Sequence, residues 1–261
     1  MIRGRTLILT LAVVLLAAAP VVAQKSSSDR DIADANNPLA NMVAFNIQNY
    51  YYSELYGTDA TTNTAWLRYA QPFGRWLMRA SLPLPTSPDR PGVDSVSGVG
   101  DFNVFFAYLV SDPSSPKQFG IGPLLAAPTA TNDALGADTW QAGAALVYFD
   151  GSSKLIQWGG LLTYQTDFSG DGEPVNMSVL QPFLFIQLGK GVYTGTAPLW
   201  LFDFESNSYS VPLGVRLGKV MRTGHTVFNV FVEPQVTILH DGVGQPKVQF
   251  FAALNIQFLG K

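Results

Sequence analysis

The last fourteen residues, VQFFAALNIQFLGK from Val248 to Lys261, carry an apolar side chain at nearly every second position. Val248, Phe250, Ala252, Leu254, Ile256 and Phe258 share one phase; Gln249, Phe251, Ala253, Asn255 and Gln257 share the other. A period of two belongs to a β-strand with unlike faces. The pattern begins near residue 40, where Val43, Phe45 and Ile47 alternate with Asn46 and Gln48. It returns as Ala65, Leu67 and Tyr69 against Thr64, Trp66 and Arg68, and as Phe228, Val230 and Val232 against Asn229 and Glu233. About twelve such strands of roughly 9–13 residues follow one another, longer than the ~5–6 of ordinary sheets and long enough to cross a membrane at a tilt. No amphipathic helix interrupts them.

The connections alternate in length. Those at 72–74, 111–117, 150–154, 189–191 and 221–225 are short, whereas 53–62, 83–98, 128–137 and 167–175 are longer; 203–207 and 240–246 are shorter but irregular. Lys117, Lys154, Lys190, Lys219 and Arg222 sit beside the short set, and Asp59, Asp89, Asp94, Asp133, Asp171, Glu173, Glu205 and Asp241 in the other. Short turns at one end and long loops at the other are the habit of an outer-membrane barrel. In hydrocarbon every backbone N–H and C=O needs a partner within the protein, which a closed antiparallel barrel provides. A soluble β-sandwich also alternates, but with fewer, shorter strands and without this segregation of loops. The expectation is therefore an all-β chain forming a closed antiparallel transmembrane barrel of about twelve strands over residues 40–261. Tyr50, Tyr51, Tyr52, Trp66, Trp76, Trp140, Tyr148, Trp200 and Tyr209 are expected in interfacial girdles, with ordinary core aromatics as the alternative.

Residues 1–23 read as a secretory signal peptide: Arg3 and Arg5, an apolar run from Leu7, then Val21-Val22-Ala23 before Gln24. Residues 24–39 read as a polar arm. Losing Arg3 and Arg5 from the 16 basic residues leaves 14 against 19 acidic ones, so nucleic acid is not an expected partner. The chain has no cysteine, which excludes disulfides and thiol chemistry. It is 47% hydrophobic and only 13% charged, where soluble domains carry about 25% charged residues.

Several residue sets are candidates for function. Arg68, Arg79, Asp101, Arg216 and Glu233 fall on the non-lipid phase, where they would form a stiffening ion-pair network, a charge-selective constriction, or both. Glutamines 48, 157, 165, 181, 187, 235, 249 and 257 would add a neutral polar wall suited to small, weakly polar solutes. Pro182, Pro198, Pro212 and Pro234 lie inside four successive strands, with Pro123 in an earlier one; proline removes a ladder donor, so this sector is expected to bulge inward or open sideways, or simply to shape the barrel. Asp167, Ser169, Asp171 and Gly172 begin like a calcium loop, but Ser178 stands where a bidentate Glu belongs, so a solvated turn is expected and no metal or other cofactor is implied. His225 and His240 are expected at opposite ends of the barrel, with no serine arranged for a lipid-acting enzyme.

QPFLFIQLGKGVYTGTAPLWLFDFE (181–205), YSVPLGVRLGKVMRTGHTVFNVFVEPQVTILHDGVGQP (209–246) and FFAALNIQF (250–258) resemble a family of Gram-negative outer-membrane barrels. NNPLANMVAFNIQNYY (36–51), WLRYAQPFGRWLMRASLPLPT (66–86) and GVGDFNVFFAYL (98–109) extend the resemblance over most of the mature chain. Members often carry the misapplied label neuromedin U and are similar to barrels associated with aromatic-degradation pathways. The resemblance implies a porin-like transporter of small molecules, not an enzyme, surrounded by outer-membrane lipid and lipopolysaccharide. The chain end resembles the signal read by barrel-assembly machinery, with Ala253, Ile256 and Phe258 in the small, apolar and aromatic places; Ala253 stands where glycine is common, and Leu259-Gly260-Lys261 follow the aromatic.

Overall fold

A strand that alternates over its whole length needs ladder partners on both edges, and the computed structural model supplies them by closing one sheet on itself. It describes residues 34–58, 60–88 and 94–259; the expected signal peptide and most of the polar arm lie outside these. The segments are β1 (Met42–Leu55), β2 (Thr62–Phe73), β3 (Trp76–Thr86), β4 (Phe102–Leu109), β5 (Lys117–Ala127), β6 (Trp140–Asp150), β7 (Ile156–Ser169), β8 (Asn176–Gly189), β9 (Val192–Thr196), β10 (Trp200–Asp203), β11 (Ser208–Gly214), β12 (Arg216–Thr223), β13 (Thr226–Asp241) and β14 (Pro246–Leu259). β9 and β10 are two lengths of one strand, as are β11 and β12, so fourteen segments make a twelve-stranded wall. β1 pairs antiparallel with β14 from Met42 opposite Leu259 to Leu55 opposite Pro246, which removes both edges.

The turns explain how consecutive strands meet. Phe73 pairs with Trp76 and Thr223 with Thr226, leaving two-residue connections. Gly74 (φ 63°) and Gly224 (φ 59°) take the left-handed backbone that such hairpins require. In the turn at 110–116, the Ser114 hydroxyl and amide both donate to Asp112 and hold its carboxyl below the ordinary range. Met42 and Leu259 lie at this short-turn end, as an even strand number dictates.

The two faces separate as the alternation demands. Ile121, Leu184, Leu217, Val232 and Phe250 are exposed on the outer face, while Gln249, Phe251, Ala253 and Gln257 are buried inward. The inward face is nevertheless less wet than a glutamine-rich wall implies. Tyr50, Phe149, Phe183, Phe185, Phe231 and Phe251 belong to one buried inward cluster, and Leu77, Phe105, Leu109 and Leu161 to another. Twelve strands enclose a bore narrow enough for side chains to fill much of it, so inward aromatics pack on one another. This corrects part of the girdle expectation. Tyr51, Trp76 and Trp140 are exposed on the outside, but Tyr50 stacks on Phe251 at 4.1 Å between centroids and Trp66 packs against the same inward cluster.

Val232→Arg, halfway along β13 on the outer face, is expected to lower unfolding stability in lipid vesicles by about 2–4 kcal/mol. Denaturant titration of the inserted protein checks this; an unchanged midpoint would mean that the outer face meets water.

Candidate functional site

The inward residues at mid-height form a charged layer. Arg216, at the start of β12, and Glu233, in the middle of β13, approach to 2.7 Å with side-chain exposures of 5% and 0%. The Arg216 guanidinium lies 3.6 Å from the Phe231 ring centroid, which offers it a cation–π face. Glu233 also accepts from the Thr196 hydroxyl (3.1 Å), the Ala197 amide (2.9 Å) and the Gln235 amide (3.0 Å). Three strands round the wall from β13, Arg68 on β2 donates to Gln48 at 2.7 Å and lies over the Trp66 ring at 4.8 Å. Arg79 lies over Phe105 at 4.5 Å. Asp101 does not join this layer, contrary to the sequence expectation. It precedes β4, and its carboxylate accepts the amides of Thr129, Ala130 and Ala137, tying the loop at 128–139 to the rim.

The ladder beside Glu233 is parted. Below the parting Gly195 is opposite Arg216; above it Leu201 is opposite Ser210. The register is the same on both sides, so residues 196–200 and 211–215 are equal lengths of neighbouring strand that share no ladder bonds. β8 likewise pairs with Thr196 and again with Trp200, skipping the three residues between. All four prolines of the sector gather here: Pro198 in the skipped stretch, Pro182 on the facing part of β8, Pro212 at a β11 bulge, and Pro234 on β13, whose carbonyl accepts from Val215 at 3.2 Å. Side chains replace lost ladder bonds. Glu233 takes the Ala197 amide, Gln181 donates to the Ala197 carbonyl (3.1 Å), and the Trp200 indole donates to the Pro212 carbonyl (3.0 Å). Pro123 lies apart, on β5 opposite Ala144.

The end of the polar arm closes the short-turn side. The Ala35 carbonyl accepts from Gln257 (3.0 Å) and Asn229 (3.4 Å), and Asn36 accepts from Asn229 (2.9 Å). Asn37 reaches across to Gln118 (2.9 Å), and Leu39 is buried in the inward cluster with Leu77 and Phe105. Asn229 is oriented by the Tyr193 hydroxyl at 2.9 Å, and the Tyr193 ring covers Gly218, where a Cβ would come within 2.2 Å of it. Residues 34–40 thus form a plug, a structured role that their polar composition did not signal. Between plug and charged layer lies a cavity of about 150 Å³.

The glutamines do line the bore, largely as cross-strand pairs: Gln187 with Gln157 at 3.1 Å, Gln165 with Gln141, and Gln249 with Gln235. Asn229 was marked in the sequence only by its strand phase; Gln118 and Gln141 were not singled out, and only their phase could have found them. Asp167 accepts the Val175 amide at 2.8 Å and closes its own loop, while Ser169 and Asp171 are exposed. Among the described residues no three His, Cys, Asp or Glu side chains group as metal ligands. His225 occupies a two-residue turn, and His240 stacks on Tyr56 (3.4 Å between centroids) near the opposite end. On β14, Phe258 faces outward and Ala253 inward.

No protein-family profile matches the chain, and no curated protein matches it in sequence. Solved structures do. The COG4313 outer membrane channel from Pseudomonas putida F1 superposes with a TM-score of 0.62 at 12% identity, over 84% of this chain and 96% of that one. The NanC porin superposes with a TM-score of 0.53 at 9% identity, over 83% and 98%. At these identities the likeness establishes the fold alone: a closed, twelve-stranded barrel.

Glu233→Ala would strand the buried Arg216 charge and the Ala197 amide together. It is expected to destabilise the barrel by about 3–5 kcal/mol, while Arg216→Met with Glu233→Leu recovers much of the loss. Unfolding of the two variants beside the unaltered protein in vesicles measures this.

Proposed function

We propose that this chain is a channel of the bacterial outer membrane for small, aromatic or weakly polar solutes. Export by a cleaved signal peptide and insertion by barrel-assembly machinery belong to this reading. The observation that carries it is the pairing of a plugged axial path with an interrupted ladder in the wall. Solute entering from the long-loop side is stopped by the plug of residues 34–40, and the wall above the plug lacks ladder bonds between residues 196–200 and 211–215. The exposed side chains flanking that parting, Leu213 and Val215, are apolar, so a weakly polar solute could pass between lumen and hydrocarbon there. One of the two barrels with similar folds is an outer membrane channel and the other a porin, which supports transport as the activity. No catalytic residue is assigned.

A second reading is a non-conducting structural or partner-binding barrel, favoured by the complete burial of Glu233 and by the plug. Planar-bilayer recording separates the two. A channel should conduct, and deleting residues 34–40 should raise its unitary conductance several-fold; silence in both forms would support the closed barrel.

The side route has its own test. Pro198→Val and Pro212→Val return an N–H to each strand bordering the parting. Uptake of an apolar solute such as toluene into proteoliposomes should slow several-fold, and an unchanged rate would remove the side route.

A further inference from the structure

The cavity between plug and charged layer is lined by three arginines, Arg68, Arg79 and Arg216, and, among the described residues, by no aspartate, glutamate or lysine. Arg216 is paired with Glu233. Among the described residues, no carboxylate lies within ion-pair distance of Arg68 or Arg79. The two project from neighbouring strands on the same face: Tyr69 pairs with Ala80, which sets Arg68 and Arg79 diagonally across the β2–β3 ladder. Arg68 is only 9% exposed and its Nε has no hydrogen-bond partner; the Nε of Arg79 and one Nη of Arg216 are likewise unmatched. Guanidinium groups carry five donors and keep their charge, so such groups drawn out of water call for an anion.

The other walls say what kind of anion. Phe183, Phe231 and Phe251 line the same cavity and Leu77 and Leu161 extend its apolar side. A space of about 150 Å³ is the size of an engineered cavity that takes up one benzene ring. Two forked donors at one edge and aromatic faces around the rest suit a planar carboxylate joined to a small ring, because guanidinium and carboxylate meet through parallel N–H···O bonds. A phosphate or sulfate would match the arginines but not the phenylalanines.

We infer that Arg68 and Arg79 form a lumenal binding subsite for a small aromatic monocarboxylate. This deepens the channel reading by naming a solute class, yet the subsite rests on the cavity and its charge, not on conduction. Bound carboxylate neutralises the arginine pair, and the phenylalanines hold the ring.

The test is calorimetric titration of the full mature chain in detergent with benzoate and with its neutral counterpart benzamide. Benzoate should bind at least about tenfold more tightly, and Arg68→Gln or Arg79→Gln should weaken it by about tenfold or more. Each variant is first checked for the heat-dependent gel shift of a folded barrel, and the comparison of two ligands on the unaltered protein needs no variant. Equal affinity for benzoate and benzamide, no benzoate binding up to about 20 mM, or binding indifferent to both substitutions in folded protein would overturn the subsite. Benzoate flux into liposomes is measured in parallel. Selective binding without flux keeps the subsite and removes the channel; flux without selective binding keeps the channel and removes the subsite.

Discussion

Everything in this molecule follows from the rule that a backbone amide or carbonyl facing hydrocarbon must be hydrogen-bonded within the protein. Closure of β1 on β14 meets that rule for nearly the whole wall. Where the prolines make it impossible, around Ala197, the rule is met by side chains drawn from other strands. Glu233 is the centre of that substitution. Its carboxylate serves a backbone amide, a threonine hydroxyl, a glutamine and an arginine at once. A neutral side chain could serve the amide but would leave Arg216 without a counter-charge, so the charge layer and the interrupted ladder are one arrangement and not two.

The alternation carried the architecture. The strand count, the short and long connections, the closing pair and the inward phase of Arg68, Arg79, Arg216 and Glu233 were all legible, because a period of two has only two phases and one had to face lipid. The proline sector was legible for the same reason: a missing N–H inside a ladder has a fixed local meaning. That its four prolines converge on one parting was not, since it depends on how β8, β9 and β11 align across the sheet.

Other features were hidden for identifiable causes. Phe251 sits between Phe250 and Ala252, so an inward aromatic among outward apolar residues leaves no break in the pattern. Tyr50 and Trp66 resembled girdle residues because proximity to a strand end says nothing about face. Asp101 kept the inward phase in sequence but precedes the first paired residue of β4, where alternation no longer fixes direction, and the loop amides captured it. The plug had no periodic signature at all. Asn36 and Asn37 bind through contacts with residues nearly two hundred and eighty-one positions away respectively, which local pattern cannot encode.

Those distant contacts bear on how the barrel is made. The plug lies just ahead of β1, while its anchors Asn229 and Gln257 belong to the final two strands. The stopper therefore cannot seat until the last hairpin has arrived and the ring is shut. The stretch that comes first in the wall's sequence is thus the one whose partners come last.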